Sequence, residues 1–348
     1  MTRTALVVGD GGVVGHRLAS YLAATGAWRV IGIGRRPQGP PGATHLALDM
    51  LDRDALLARA PAVAGVTHAF LTAKAPAADA AAEAALNARL LHNMIDMLEA
   101  GAAGLQHVAL VHGTKWYGCH AGPYAVPARE DDPRGPAPLF YFDQHDALAA
   151  RQHGRPWGWS TLRPHTVWGY SRGTGNNLVT LIGVYAALLR EAGEKLAFPG
   201  TPQNYEKQSQ ATTADLLGQA LAWTATAPSC RNQDLNLTNG ATFRWRDLWP
   251  AVAAFFGMEP GPPASTPLTQ LMPRYEPLWP RIQQKHGLAE GRLEELVSWQ
   301  YGQGLFSVAW DDGSSNAKAR RLGFAAQEDN RTALLRILGA LRRDRIVP

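Results

Sequence analysis

Two short segments of this sequence carry residue types and spacings suited to holding an anionic cofactor. The first is Gly9-Asp10-Gly11-Gly12-Val13-Val14-Gly15, which follows the apolar run Ala5 to Val8 and opens an amphipathic stretch. Glycines at such a turn let the backbone approach a pyrophosphate, and the free N–H groups and positive dipole end of the following helix attract its charge. The competing reading is an ordinary glycine-rich turn, and the strand-turn-helix setting argues against it. Asp10 is unhelpful beside phosphates, so its carboxylate is expected to point away. The second segment is Arg35-Arg36, which closes the next apolar run, with no Asp or Glu from Arg29 to Leu48. A ribose 2′-hydroxyl normally meets a carboxylate at this strand end, whereas a 2′-phosphate suits an always-charged, bidentate guanidinium. NADP(H) is therefore expected in preference to NAD. Asp49 and Met50, after the third strand, stand where an adenine is commonly flanked.

Reduction also needs a donor for the charge that develops on substrate. In most short-chain reductases a Tyr and a Lys four residues later share a helix face, the ammonium lowering the tyrosine pKa. None of the nine tyrosines here has Lys at i+4, and Tyr141 has His145 there, a position that packing explains more simply. Only six lysines occur, at 74, 115, 195, 207, 285 and 318. Lys115 lies in Gly113-Thr114-Lys115-Trp116-Tyr117, just beyond the expected fifth strand, and Tyr141 opens the next helix in Leu139-Phe140-Tyr141-Phe142-Asp143. A strand-end ammonium and a helix-borne phenol can then converge from different elements.

The elements that must position these groups are legible as alternation. Apolar runs at Thr4 to Val8, Arg29 to Ile33, His45 to Leu48, Thr67 to Leu71, His107 to Val111 and Ser160 to Arg163 read as strands. Helical patterns at His16 to Thr25, Arg53 to Leu57, Ala77 to Ala100 and Phe142 to Gln152 separate them. This predicts an α/β fold, a Rossmann-type doubly wound parallel sheet with its ligands at the carboxyl ends of the strands. Beyond Gly169 the pattern loosens into a helix over Leu178 to Ala192, a return strand at Asp234 to Thr238 and the Pro-rich Gly261 to Pro280, read as lid rather than sheet. The expected division is an NADP-binding domain over 1–170, with return elements around 209–238, and a smaller, mainly helical substrate-binding cap over 171–348.

Composition narrows the classes. The chain has 348 residues, 34 basic and 29 acidic, for a net charge of +5, with 46% hydrophobic and 18% charged residues. That apolar content excludes disorder, and the modest charge, clustered near Lys318 to Arg321 and Arg342 to Arg345, argues against nucleic acid as a partner. The longest nearly apolar run, Leu178 to Leu189, is too short to span a bilayer, and Gly9-Asp10 interrupts any secretory h-region. Two cysteines, Cys119 and Cys230, suit neither a disulfide framework nor a metal site. A cytoplasmic protein without metal is expected, and a homodimer is compatible with the sequence.

At these residues the chain resembles the progesterone 5β-reductase/iridoid synthase-like (PRISE) enzymes, within the extended short-chain dehydrogenase/reductases. The GxxGxxG spacing, GIGRR at Gly32 to Arg36, GTKWY, LFYFD and RPHTVWGYS at Arg163 to Ser171 carry the resemblance. It continues through Asn177-Leu178-Val179, Val184 to Ala187, Leu237 to Gly240, Phe243-Arg244-Trp245 and Ile346-Val347-Pro348. The resemblance implies NADPH-dependent reduction of the carbon–carbon double bond of a small apolar enone or enal. It places Tyr141 on the family's catalytic tyrosine, Lys115 on its lysine, and Val13, Val14, Asp49, Met50, Ala73 and Val167 at or near cofactor contacts. This sequence departs from the pattern at His112, Trp116 and Phe142, and at Lys74, which offers a second cation near the site. Tyr275, Trp279, Trp299 and Phe306 are candidates to line an apolar pocket, with a tryptophan-rich packing core as the commoner explanation. Other readings are an extended short-chain carbonyl reductase, a nucleotide-sugar epimerase or dehydratase, and a non-enzymatic NADP-binding sensor.

Overall fold

The computed structural model describes residues 3–36, 39–171, 173, 175–264, 266–289 and 291–348. Seven parallel strands form one sheet. In chain order they are β1 (Arg3–Val8), β2 (Trp28–Gly34), β3 (Thr44–Ala47), β4 (His68–Leu71), β5 (His107–Val111), β6 (Gly158–Pro164) and an edge strand, Gln233–Leu237. Across the sheet the order is Gln233–Leu237, β6, β5, β4, β1, β2, β3, so the direction of winding reverses between β1 and β4. That reversal opens a crevice at the strands' carboxyl ends, where such folds bind ligands. The doubly wound Rossmann-type sheet expected from the alternation is present.

Strands covered on both faces read as continuous apolar runs. Ala5, Leu6, Val7 and Val8 are all fully buried. Helix α1 (Val13–Ala24) and the helix Ala214–Thr226 pack on one face through Leu18, Leu22, Leu217 and Leu221. The helices Ala80–Gly101 and Phe140–Gln152 cover the other through Leu91, Met94 and Leu148. The first of these begins at Ala80 rather than Ala77 because the Asp79 carboxylate accepts the Ala82 N–H, a stronger start signal than the alanine run itself.

A third core lies around the helix Leu178–Glu191, whose residues 178 to 189 are all buried. A helix apolar all round belongs inside, and here Trp168, Trp245, Trp249 and Trp279 surround it. Within the segment read as lid rather than sheet, Pro260–Pro263 adds a short strand parallel to Leu196–Phe198. Proline can occupy such a position because a two-stranded edge leaves one side of the strand unpaired. No helix among the described residues is long and apolar enough to cross a membrane.

Candidate active site

The glycine turn joins β1 to α1, and Gly9 and Gly15 are required where they stand. Gly9 has φ +85, a left-handed conformation, and a Cβ there would lie 2.9 Å from Ala73 at the end of β4. A Cβ on Gly15 would meet the Gly9 carbonyl oxygen at 2.2 Å, so side chains at these positions would force strand and helix apart. Helix α1 starts at Val13, three residues earlier than its apolar periodicity predicts, because Gly12 takes the N-cap position. No side chain caps it and no acidic residue lies in its first turn, so the N–H groups of Val13, Val14 and Gly15 are left for an anion. Asp10 points away, as expected, with its side chain fully buried and bonded to His45.

At the end of β2, Arg35 and Arg36 are exposed. The Arg36 guanidinium donates to the carbonyls of Gly11 at 3.3 Å and Gly173 at 3.1 Å, holding a cation over the glycine turn. Asp49 is exposed, and its carboxylate accepts the Leu51 N–H. Met50 instead lies in the hydrophobic core, its carbonyl taken by Asn93, which leaves little of its side chain open to a ligand.

Lys115 and Tyr141 line one cavity of about 630 Å³, together with Val13, Val167, His112, Cys119, His165, Asn176, Tyr301 and Asp312. Lys115 is exposed, with no ion-pair partner among the described residues. Tyr141 is held close to the end of β5 because residue 113 is glycine: a Cβ there would stand 3.0 Å from the phenol oxygen. Burial pushes the Tyr141 phenol well above its ordinary range, with Cys119, Glu83 and Tyr301 adding to the effect. Tyr141 is therefore a neutral hydrogen-bond donor.

Beneath Tyr141 runs a column of flat groups. His112 stacks on it at 4.9 Å between centroids, Trp116 stacks on His112 at 5.9 Å, and the Arg163 guanidinium lies 3.7 Å from the Trp116 ring. Burial pushes His112 down to about 3, aided by the Arg163 charge, so its imidazole is neutral. The far wall holds a second polar group. His165 accepts the Thr166 N–H at Nδ1, which puts its proton on Nε2, 3.0 Å from Asp312. Burial would raise Asp312, but His165 and the Tyr124 hydroxyl outweigh it and keep the carboxyl below its usual range.

The candidate cations and aromatics sort differently from their sequence positions. Lys74 pairs with Glu83 at 2.9 Å and lies against Phe140, so its charge is engaged by a carboxylate. His145 bonds Asp234 at 3.2 Å and packs on Trp116 and Trp159. Tyr275, Trp279 and Phe306 are buried in the third core, and none of them, nor Trp299, lines the cavity.

The chain matches the PRISE-like Rossmann-fold domain over residues 44–309. It belongs to that family. This PRISE-like chain is 29% identical to an (S)-8-oxocitronellyl enol synthase from Nepeta cataria, covering 99% of this chain and 91% of the relative. It is 30% identical to a short chain dehydrogenase from Penicillium aethiopicum over all of both chains. A 3-oxo-Δ(4,5)-steroid 5β-reductase from Arabidopsis thaliana shares 28% identity, over 99% of this chain and 93% of its own. Among solved structures, a UDP-glucose 4-epimerase from Thermotoga maritima superposes with TM-score 0.70 at 14% identity, covering 98% of this PRISE-like chain and 99% of the epimerase. That likeness is one of fold.

Sequence reasoning missed His165, Asn176, Tyr301 and Asp312 on the cavity wall. His165 sits inside the RPHTVWGYS segment and could have been singled out there. Asp312 carried no local signal, since its partners Tyr124 and His165 are 188 and 147 residues away.

Proposed function

We propose that this chain is an NADPH-dependent reductase that saturates the carbon–carbon double bond of activated enones or enals. The observation that carries the reading is the sharing of one cavity by Lys115, Tyr141 and Val13, the first residue of the helix that the glycine turn opens. The turn fits a pyrophosphate: its backbone is open where side chains would collide, and the first turn of α1 offers unpaired N–H groups. Gly9, Gly12, Val13, Val14 and Gly15 would hold the pyrophosphate, Arg35 and Arg36 the 2′-phosphate, Asp49 and Ala73 the adenosine side, and Val167 with Val13 the nicotinamide side. Bound NADPH supplies a hydride to the β-carbon of the enone.

As that carbon is reduced, negative charge collects on the carbonyl oxygen. The neutral Tyr141 hydroxyl donates a hydrogen bond to it, in a cavity shielded enough to strengthen the bond. Lys115, without a carboxylate partner among the described residues, adds a favourable field and a hold for ribose hydroxyls. A proton from water completes reduction at the α-carbon, so two electrons and two hydrogens are accounted for. Cys119 faces the same cavity, yet burial and the Asp312 charge push its thiol up to about 12. A thiol kept protonated does not compete as nucleophile for an electrophilic substrate.

NADPH with a panel of cyclic and acyclic enones, followed by product identification, tests the reading. The saturated carbonyl compound is expected, and an allylic alcohol would show a carbonyl reductase instead. Tyr141→Phe should retain NADPH binding and lower turnover at least tenfold, toward the ~10² to 10³ of a lost oxyanion donor. Unchanged turnover removes Tyr141 from the reaction.

A further inference from the structure

The loop that receives the dinucleotide contains a buried carboxylate that pyrophosphate binding does not use. Gly9 turns the backbone so that Asp10 lies under the end of β2, its side chain 1% exposed. Three glycines make room for it. A Cβ on Gly32 would stand 1.9 Å from Oδ2, one on Gly34 2.7 Å from Oδ1, and one on Gly39 2.7 Å from both Oδ2 and the His45 ring. His45, on β3, places Nδ1 2.6 Å from Asp10 Oδ2 and Nε2 2.7 Å from the backbone carbonyl oxygen of Arg36.

Both neighbours of the imidazole are acceptors. A neutral ring has one N–H, so an ionised Asp10 beside a neutral His45 leaves a lone pair facing either the carboxylate or the carbonyl. Both contacts are satisfied only when the pair holds one further proton, on the ring or on the carboxyl. That proton decides whether the Arg36 carbonyl is tethered, and with it the turn from which the Arg36 guanidinium reaches over Gly11.

Resting on the reading of Arg36 as a 2′-phosphate ligand, we propose that Asp10 and His45 are positioning residues for NADPH, a shared proton between them fixing the arginine turn. The pair selects for the phosphorylated cofactor through Arg36. The other charged groups around it are the Arg36 guanidinium at the end of β2 and His16 and Arg17 on α1. His16 is pushed down, by burial first and then by Arg17 and Arg36 against the pull of Asp10, so it stays neutral as pH is raised.

Binding titrations of the full chain with NADPH and NADH at neutral pH test this. Asp10→Asn is isosteric and keeps both contacts: the amide donates to Nδ1, and Nε2–H donates to the Arg36 carbonyl. Its preference for NADPH over NADH should therefore stay within about twofold of wild type. His45→Phe should weaken NADPH about tenfold, the equivalent of one hydrogen bond, and NADH much less. A loss of NADPH preference in Asp10→Asn as large as that in His45→Phe, or equal weakening of both cofactors by His45→Phe, overturns the proposal. Arg35→Ala with Arg36→Ala, measured alongside, separates the two readings. If that double variant weakens NADH as much as NADPH, 2′-phosphate recognition itself fails; if it weakens NADPH alone, a failure of the pair stands by itself.

Discussion

Tyr141 owes its position to a residue with no side chain. With glycine at 113, the phenol oxygen sits where a Cβ would be 3.0 Å away, tighter than side chains normally tolerate. Gly113→Ala should therefore move the hydroxyl by a few tenths of an ångström and lower turnover about tenfold, since a misplacement of 1 Å costs about 10². Cofactor affinity should hold. Gly113 has an extended backbone that any residue can adopt, so the expected defect is in the reaction and not in folding. Parallel losses in turnover and in thermal stability would show that the glycine serves packing instead. The candidate pair itself was legible, because Lys115 and Tyr141 follow a recognisable strand and open a recognisable helix. What the sequence did not disclose was the neutral phenol. Its pKa depends on burial and on groups such as Cys119, Glu83 and Tyr301, the last 160 positions further along the chain.

At the level of elements, β5, β6 and the edge strand Gln233–Leu237 form the floor under the reacting groups. Arg163 on β6 is 1% exposed and pairs with Asp234 on the edge strand at 3.2 Å, while its face supports Trp116. Burial alone would raise Asp234, but the bonds from His145 and Thr161 and the Arg163 charge hold it well below the carboxylate range. Its folded value lies below its unfolded one, so its contribution to stability is present above about pH 4 and is lost as pH falls through the folded value. For His145, burial lowers and the Asp234 bond and charge raise, with a net rise. That contribution is complete below about pH 6.5 and is lost as pH rises through the raised value. Asp234→Asn should thus destabilise the fold by on the order of 3 kcal/mol, because it strands a buried guanidinium. It should also reduce the alkaline loss that belongs to His145, leaving the part that the Asp146 bond sustains. Denaturant unfolding across pH reads both, and an unchanged midpoint would mean that Arg163 finds its compensation in Glu130 and Tyr117. The strands were legible as apolar runs, and His107–Val111 falls where expected. Register was not, because the pairing of Asp234 with Arg163 depends on which strand closes the sheet.

Across the whole molecule the cavity has two builders. The sheet ends and α1 supply Val13, His112, Lys115 and Val167, while the helix Trp299–Phe306 supplies Gln300, Tyr301, Gly304 and Leu305. That helix rests on the third core through Gly302, where a Cβ would lie 2.4 Å from Leu181 Cδ1 and 3.3 Å from Leu268 Cδ1. In the sequence Tyr275, Trp279, Trp299 and Phe306 are candidates for the substrate wall, because large aromatics are what line apolar pockets, with a tryptophan-rich packing core as the commoner explanation. The three of these that are buried went to the core, since the fully apolar helix Leu178–Glu191 needs covering on every side, and smaller or more polar neighbours were left to face the cavity. The division has a kinetic consequence. Gly302→Ala overpacks a buried contact, at a cost of about 1 to 3 kcal/mol, and the relief available is movement of Trp299–Phe306 away from Leu181. Tyr301 and Leu305 then shift while the glycine turn, Arg36 and Lys115 stay in place. KM for the enone should rise severalfold with the NADPH dissociation constant unchanged. A variant that loses both affinities together would show that the third core and the sheet yield as one body, and that substrate and cofactor are not held by separable parts of the fold.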